Sequence, residues 1–292
     1  MKAAKEARAG LLFASPWFFG FLVFLLYPLC ASLYYSFCDY SVLKAPVFIG
    51  LDNYTELFKD DVFYTSLYNT LFYALFALPL STLMALGLAM LLNSKVKGLA
   101  FYRTIFFLPS IVPMISLAML WLWMFNGEFG LVNNGLNAIH LPTQPWLTDK
   151  SWTKPALIFM SMWGVGNAMV IYLAGLQNVP QPLYEASDLD GATPWQKTWN
   201  VTLPMLSPVI QFNVILGMIG SLQVFAIPYV MFSSGGPERS AYFYAMYLYD
   251  NAFNYQRMGY ASAMGWIMFI VIFIATRIAI KISDKRVHYE TA

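Results

Sequence analysis

Charge is what this 292-residue chain has least of: 11% of its residues are Asp, Glu, Lys or Arg, 59% are hydrophobic, and the mean hydropathy is +0.56. A soluble domain carries about 25% charged residues, so too few remain here to cover a water-facing surface. A water-soluble fold is excluded, and a membrane protein is what remains. Histidine is nearly absent too. His140 and His288 stand far apart, in a loop and in the tail, so neither belongs to a metal-ligand spacing and each reads as a plain polar surface residue. No Gly-Lys pair occurs anywhere, which removes the phosphate-cradling pattern GxxxxGK[ST]. Only two cysteines occur, Cys30 and Cys38. Along a helix they would lie about 12 Å apart, so two free thiols are favoured over a bridge. A net charge of +2 with no basic run gives no reason to expect nucleic acid.

Long apolar runs are what the chain does have. Crossing the hydrocarbon core takes about 20 apolar residues, and charge-free stretches of that size occur at about 11–34, 67–92, 104–126, 155–177, 205–232 and 259–276. They are continuous rather than alternating, which indicates helices and not barrel strands. The expected fold class is therefore an all-α polytopic membrane protein with six transmembrane helices. Prolines 16, 28, 79, 109, 113 and 228 are expected to bend these helices or mark their ends. Lys2, Lys5 and Arg8 precede the first run as in a signal peptide. That run is too long for a cleaved segment and no small-residue cleavage site follows, so it is expected to stay as the first span.

Lys and Arg in the loops give the direction. With the N-terminus inside, the cytoplasmic face holds eleven: Lys2, Lys5, Arg8, Lys95, Lys97, Arg103, Lys197, Arg277, Lys281, Lys285 and Arg286. The outer face holds six: Lys44, Lys59, Lys150, Lys154, Arg239 and Arg257. Both termini and the loop 178–203 are then expected to be cytoplasmic. Among the outer loops, 37–65 carries five acids, 127–154 contains a pattern for a short interfacial helix, and 241–256 is rich in Tyr and Phe. The last fits an aromatic belt at the headgroups, and equally a docking surface for something outside.

No Asp, Glu, Lys or Arg falls inside the six stretches. Intramembrane charges mark ion pathways and proton relays, so their lack counts against a proton-coupled carrier and a voltage sensor. Uphill movement of a solute would need energy from another polypeptide. Uncharged polar groups do occur: Ser161, Trp163 and Asn167 beside Gly164 and Gly166 in the fourth stretch, and Ser221 and Gln223 before Phe225 and Tyr229 in the fifth. Trp163 and Asn167, four apart, should share one helix face. Helix-to-helix hydrogen bonding explains such residues as readily as a solute path does. Aromatic faces beside amides and hydroxyls suit a polyhydroxyl solute.

One polar stretch stands out between two apolar runs: "YEASDLDGATPWQKTWNVTLP", residues 184–204. Acids sit near the start of a helix-forming segment, Asp190-Gly191 offers the left-handed position that ends it, and Thr193, Pro194 and Gln196 form a capping box for a second helix. On local pattern alone an ordinary amphipathic surface helix is the simpler reading. A rigid knob offering Tyr184, Glu185 and Trp195 to a partner is the sharper one.

The stretch resembles the EAA loop of permease subunits of binding-protein-dependent ABC importers. Glu185 and Ala186 match, as do Asp190, Gly191 and Ala192, then Leu203, Pro204 and Pro208: eight fixed positions over 24 residues. Ser187 stands where the third alanine would be, and Trp199 where a large apolar residue is common. The resemblance covers about residues 11–287 and is nearest to the sugar-permease branch, as in "FIGLDNYTELFKDDVFYTSLYNT" and "SSGGPERSAYFYAMYLYDNAFNYQRMGYASA".

The resemblance implies a cytoplasmic N-terminus at 1–10, a type I ABC importer transmembrane domain at 11–287 and a coupling loop at 183–204. It places Tyr184, Glu185, Ala186, Ser187, Asp190, Gly191, Ala192 and Pro204 against an ATPase subunit, and Trp163, Gly164, Asn167, Ser221, Gln223 and Tyr229 along the solute path. It further implies a bacterial plasma (inner) membrane location, a second related permease, two ATPase subunits and an extracytoplasmic solute-binding protein that delivers a sugar. No cofactor and no metal is expected on this chain, since ATP and Mg belong to the partner ATPase, and no catalysis is expected of it. Glycerol-phosphate, a polyamine or an amino acid are alternative solutes, and a stand-alone carrier is the rival class. The charge-free spans favour a neutral sugar.

Overall fold

The computed structural model describes residues 2–94 and 97–283. Lys95, Lys285, Arg286 and His288, and residues 284–287 of the expected transmembrane domain, lie outside the described residues. The chain divides into two compact units, one of residues 1–63 and 248–270, the other of 64–247 and 271–292.

In the first unit α1 (Lys2–Gly20) runs through a π-helical turn, Phe21–Leu26, into α2 (Tyr27–Tyr35). The described segment Gly10–Tyr35 is long and apolar enough to cross a membrane, and no residue of its most apolar window is buried. It presents its sides to the surroundings rather than to a core. A small antiparallel pair, β1 (Cys38–Asp39) and β2 (Val47–Phe48), leads to α3 (Asp52–Leu57). Buried Asn53 donates both amide hydrogens, to the carbonyls of Ser36 and Cys38, each at 2.9 Å. Tyr260 donates to Asp60 at 2.7 Å, and Arg257 pairs with Glu56 at 2.5 Å. Two of the five acids of residues 37–65 are thereby accounted for as local acceptors. Gly259 meets the same loop: its N–H donates to Tyr40 at 3.0 Å, and a Cβ there would lie 2.0 Å from the Cys38 carbonyl oxygen. Cys30 is exposed and Cys38 buried, both as free thiols.

The second unit takes most of α4 (Asp61–Leu92), then α5 (Leu99–Phe107), a 3-10 turn at Leu108–Ile111, and α6 (Met114–Met124). Here the expected span 104–126 is bent by 99°. Pro109 and Pro113 account for this. Val112, before Pro113, is forced into an extended conformation (ψ 129°), because a proline ring clashes with a helical predecessor. A short helix, α7 (Leu131–Ala138), falls within the 127–154 pattern. Next come α8 (Lys150–Trp163) and α9 (Gly166–Gln177), bent by 45° at Gly164-Val165. The fold continues through α10 (Gln181–Leu189), α11 (Pro194–Lys197), a π-helical turn at Thr198–Thr202, α12 (Leu203–Leu222) and α13 (Ala226–Met231). α14 (Tyr244–Tyr249) and α15 (Met258–Ser283) follow, with their residues 248–249 and 258–270 counted in the first unit.

Four described helical segments are long and apolar enough to cross a membrane: Gly10–Tyr35, Asp61–Leu92, Pro194–Met231 and Met258–Ser283. The two bent pairs join them if each counts as one span. The core of the second unit sets Ala85, Ala89 and Leu92 of α4 against Met169, Tyr172 and Leu176 of α9, with Leu206 of α12. Small alanines let the α4 backbone approach closely, as membrane helices require. Across α4 and α8, Ser81 and Ser161 share a hydrogen bond of 3.1 Å.

Candidate functional site: a braced loop and two helix breaks

Residues 181–204 form a unit whose local bonds close almost completely. α10 starts after Pro180, with Pro182 in its first turn, where a missing N–H costs nothing. It ends at Gly191, which takes φ +71°. Ala192 N–H donates to Ser187 O at 3.0 Å and Gly191 N–H to Asp188 O at 3.1 Å. Those are the two bonds of a Schellman motif, which satisfies carbonyls that a helix end leaves open. Thr193 then caps α11 reciprocally with Gln196: Thr193 N–H donates to Gln196 Oε1 at 2.8 Å, and Gln196 N–H returns a bond to Thr193 Oγ1 at 3.4 Å. Pro194 occupies the first helical position.

Two contacts that sequence reasoning missed brace this unit. Tyr184 Oη shares a hydrogen bond of 3.0 Å with buried Thr202, and Lys197 forms an ion pair with Asp188. Both fold α10 back onto the start of the next helix, and no spacing rule forecasts them. Helix is continuous from Pro194 through the π-helical turn to Leu222, a rod of roughly 43 Å at 1.5 Å per residue. Pro204 lies partway along this rod, in the first turn of α12. What remains turned outward is Glu185, Ala186, Asp190 and Gly191, with Leu189 (90% exposed), Trp195 (70%) and Trp199 (55%) beside them. The two indoles meet edge to face at 5.6 Å. Ser187 is half-buried and turns its hydroxyl back to Tyr184 O at 2.7 Å. Ala192 is also half-buried.

The residues expected along a solute path fall into two groups, each at a break in a helix. Trp163 is the last residue of α8, with Gly164-Val165 forming the break and Asn167 in the first turn of α9. Trp163 and Asn167 therefore do not share the face of one continuous helix, contrary to the expectation from their spacing. The interruption at Gly164 and the 45° bend separate them. Trp163 is half-exposed, and its ring stands edge to face on buried Trp121 at 5.8 Å. In the second group, Ser221 bonds back to Met218 O at 3.0 Å, and Gln223 lies exposed where α12 stops. Tyr229 on α13 stacks on Phe225 at 5.0 Å. Sequence reasoning missed Trp121, against which the ring of Trp163 stands, and noted Phe225 without its contact to Tyr229. Backbone freed by a helix break is tolerated at membrane depth where it lines a polar cavity, so both breaks are where a polar solute could be met. Among the described residues no group of three or more His, Cys, Asp or Glu is arranged to hold a metal.

Residues 77–289 match the family described as "Binding-protein-dependent transport system inner membrane component". The chain is 40% identical over 291 residues to the probable ABC transporter permease protein YesP of Bacillus subtilis (strain 168), covering 98% of this chain and 94% of that protein. It is 34% identical to the arabinooligosaccharides transport system permease protein AraP of the same organism, covering 96% and 90%. A crystal structure of a bacterial alginate ABC transporter in complex with alginate pentasaccharide-bound periplasmic protein contains a chain of similar fold. The TM-score is 0.85 at 26% identity, covering 97% of this chain and 96% of that one.

Proposed function

This chain belongs to the family of binding-protein-dependent transport system inner membrane components, and from that premise we propose that it is a permease subunit of an ATP-driven importer for a sugar or oligosaccharide. The observation that carries the reading is the 181–222 unit. An exposed, internally braced knob is joined to a helix that runs without interruption to Ser221 and the break at Gln223. Such a rod converts a pull on the knob into movement at the solute path.

In this reading the domain spans 11–287 behind a cytoplasmic segment at 1–10. The two bent pairs each make one span, giving six, and both termini lie in the cytoplasm of a bacterial inner membrane. The loop 183–204 seats on one of two ATPase subunits. Glu185 makes the polar contact, Tyr184, Ala186, Ser187, Asp190 and Ala192 pack beside it, Gly191 shapes the turn, and Pro204 opens α12 within the rod. ATP and Mg stay on the ATPase. A second, related permease supplies the other half of the path, and an extracytoplasmic binding protein delivers the solute. Trp163, Gly164, Asn167, Ser221, Gln223 and Tyr229 receive it, the rings stacking on sugar C–H faces and the amides and hydroxyls bonding its hydroxyls. The relatives named for arabinooligosaccharides and alginate support an oligosaccharide. The charge-free spans favour a neutral one.

The test is uptake of labelled neutral oligosaccharides by native-host cells with and without this chain. At least one sugar is expected to lose energy-dependent uptake when the chain is deleted. Restoring the chain as Trp163→Ala should leave uptake about tenfold lower than wild type, as expected for losing roughly 1.4 kcal/mol of ring stacking. Undiminished uptake of every sugar in the deletion strain would sink the proposal.

A further inference from the structure

At the far end of the α12–α13 segment from the 181–204 knob, residues 235–239 adopt a backbone that L-amino acids avoid. Gly235 (φ +84°), Gly236 (+72°), Glu238 (+48°) and Arg239 (+59°) all take positive φ, and two of the four are not glycine. Such a run persists only where its surroundings over-determine it, and it is a feature of clamps and switch regions. The surroundings here are specific. Asn69 of α4, 2% exposed, donates one amide hydrogen to Arg239 O at 2.8 Å and the other to Tyr242 O at 3.1 Å. Lys154 of α8 donates to Asn69 Oδ1 at 2.9 Å and to Ser240 O at 3.3 Å. Thr153 donates to Ser240 Oγ at 2.8 Å, and Thr70 accepts from Tyr244 N–H at 2.9 Å.

Lys154 is unusual among these. Its ammonium is met by an amide oxygen, a backbone oxygen and the ring faces of Tyr68 and Phe72 at 5.4 and 5.5 Å. No carboxylate lies within ion-pair reach of it among the described residues. A half-buried cation answered only by neutral groups is a poor way to fill space, since a neutral side chain of equal length would pack there without desolvating a charge. What the ammonium adds is direction. By donating to Asn69 Oδ1 it fixes which end of that amide faces the loop, so that both N–H groups point at loop carbonyls. Lys154 also lies nine residues before Trp163, on the opposite side of α8 at 100° per residue, so it serves the loop and not the ring.

We propose that Lys154 and Asn69 are positioning residues that hold the 235–240 loop in a preformed outward presentation for the extracytoplasmic solute-binding protein; this rests on the importer reading above. The tip of the loop carries exposed Glu238, paired with Lys150 at 2.7 Å, and exposed Arg239. A charged tip suits a water-borne protein surface and not the bilayer. A loop ordered in advance loses less freedom on docking than a floppy one.

The experiment uses the intact transporter in lipid nanodiscs, with the binding protein that cross-links to wild type in the native host as the probe. ATP hydrolysis is titrated against that protein. Lys154→Met is expected to raise the half-saturating concentration about tenfold while the maximal rate stays within about twofold. Lys154→Arg, which can still donate to oxygen and stack on rings, should recover most of the shift. Asn69→Leu should reproduce the Lys154→Met effect, and if it fails to assemble, the Lys154 pair decides alone. An unchanged half-saturating concentration in Lys154→Met, or a fall in maximal rate alone, overturns the proposal. A wild-type complex that the binding protein does not stimulate overturns the importer reading, and this proposal with it.

Discussion

Gly191→Val is expected to lower energy-dependent uptake at least tenfold while the protein still reaches the membrane. The reason is conformational and not a matter of space: a Cβ at this position would meet nothing within 4 Å, but φ is +71°. The left-handed conformation costs an ordinary L-residue about 1–2 kcal/mol, and a β-branched one more. Relief of that strain would undo the Schellman bonds from Ala192 to Ser187 and from Gly191 to Asp188. The start of α11 would then lose its fixed relation to α10, and Glu185 would no longer be presented on a rigid unit. Asparagine adopts the left-handed region more readily than other non-glycine residues, so Gly191→Asn should keep uptake within about threefold of wild type. Uptake assays on the two variants at matched membrane levels check this. If valine and asparagine behaved alike, backbone conformation would not be what this position supplies.

Gly166→Leu is expected to lower the thermal unfolding temperature of the detergent-solubilised protein by about 5 °C or more. A Cβ at Gly166 would stand 2.9 Å from the carbonyl oxygen of Phe106 and 2.9 Å from Phe107 Cα. Both are backbone atoms, which cannot rotate away as a side-chain tip can. α9 would have to move off the end of α5, loosening Met169, Tyr172 and Leu176 from the α4 alanines. Overpacking of this kind costs about 1–3 kcal/mol, and roughly 2–4 °C accompanies each kcal/mol in a domain of this size. Gly164 supplies the control. It has open space at its Cβ position and a negative φ of −88°, so Gly164→Ala should leave the unfolding temperature within about 1 °C. Equal shifts for the two variants would refute the close approach at Gly166 as the cause.

The contrast between these glycines also marks where sequence reasoning succeeds. The end of α10 and the start of α11 were legible because their signals are local: Asp190-Gly191 closes one helix, and Thr193, Pro194 and Gln196 open the next within three residues. The bend at Pro113 was legible for the same reason, since a proline acts on its own neighbours. The bend at Gly164-Val165 was not. Apolar composition runs straight through it, no proline marks it, and the reason Gly166 must be small lies on α5, sixty residues away. Trp163 and Asn167, which their spacing puts on one helix, instead belong to two helices. The braces Tyr184–Thr202 and Lys197–Asp188 needed α10 to fold back before they could be seen. Lys154 and Asn69 stand 85 residues apart; the sequence offered Lys154 only as one outer-face cation among six, and nothing drew attention to Asn69. Only their meeting gives either a purpose.

The central claim is that the 181–204 knob couples this chain to an ATPase. The most direct test is purification of the tagged chain from its native host in mild detergent, wild type beside Glu185→Ala. Wild type is expected to bring with it an ATPase and a second multi-span protein, and Glu185→Ala to retain the multi-span partner while losing most of the ATPase. A wild-type chain that emerges alone as a stable homo-oligomer, or a Glu185→Ala chain that holds the ATPase undiminished, would contradict the account.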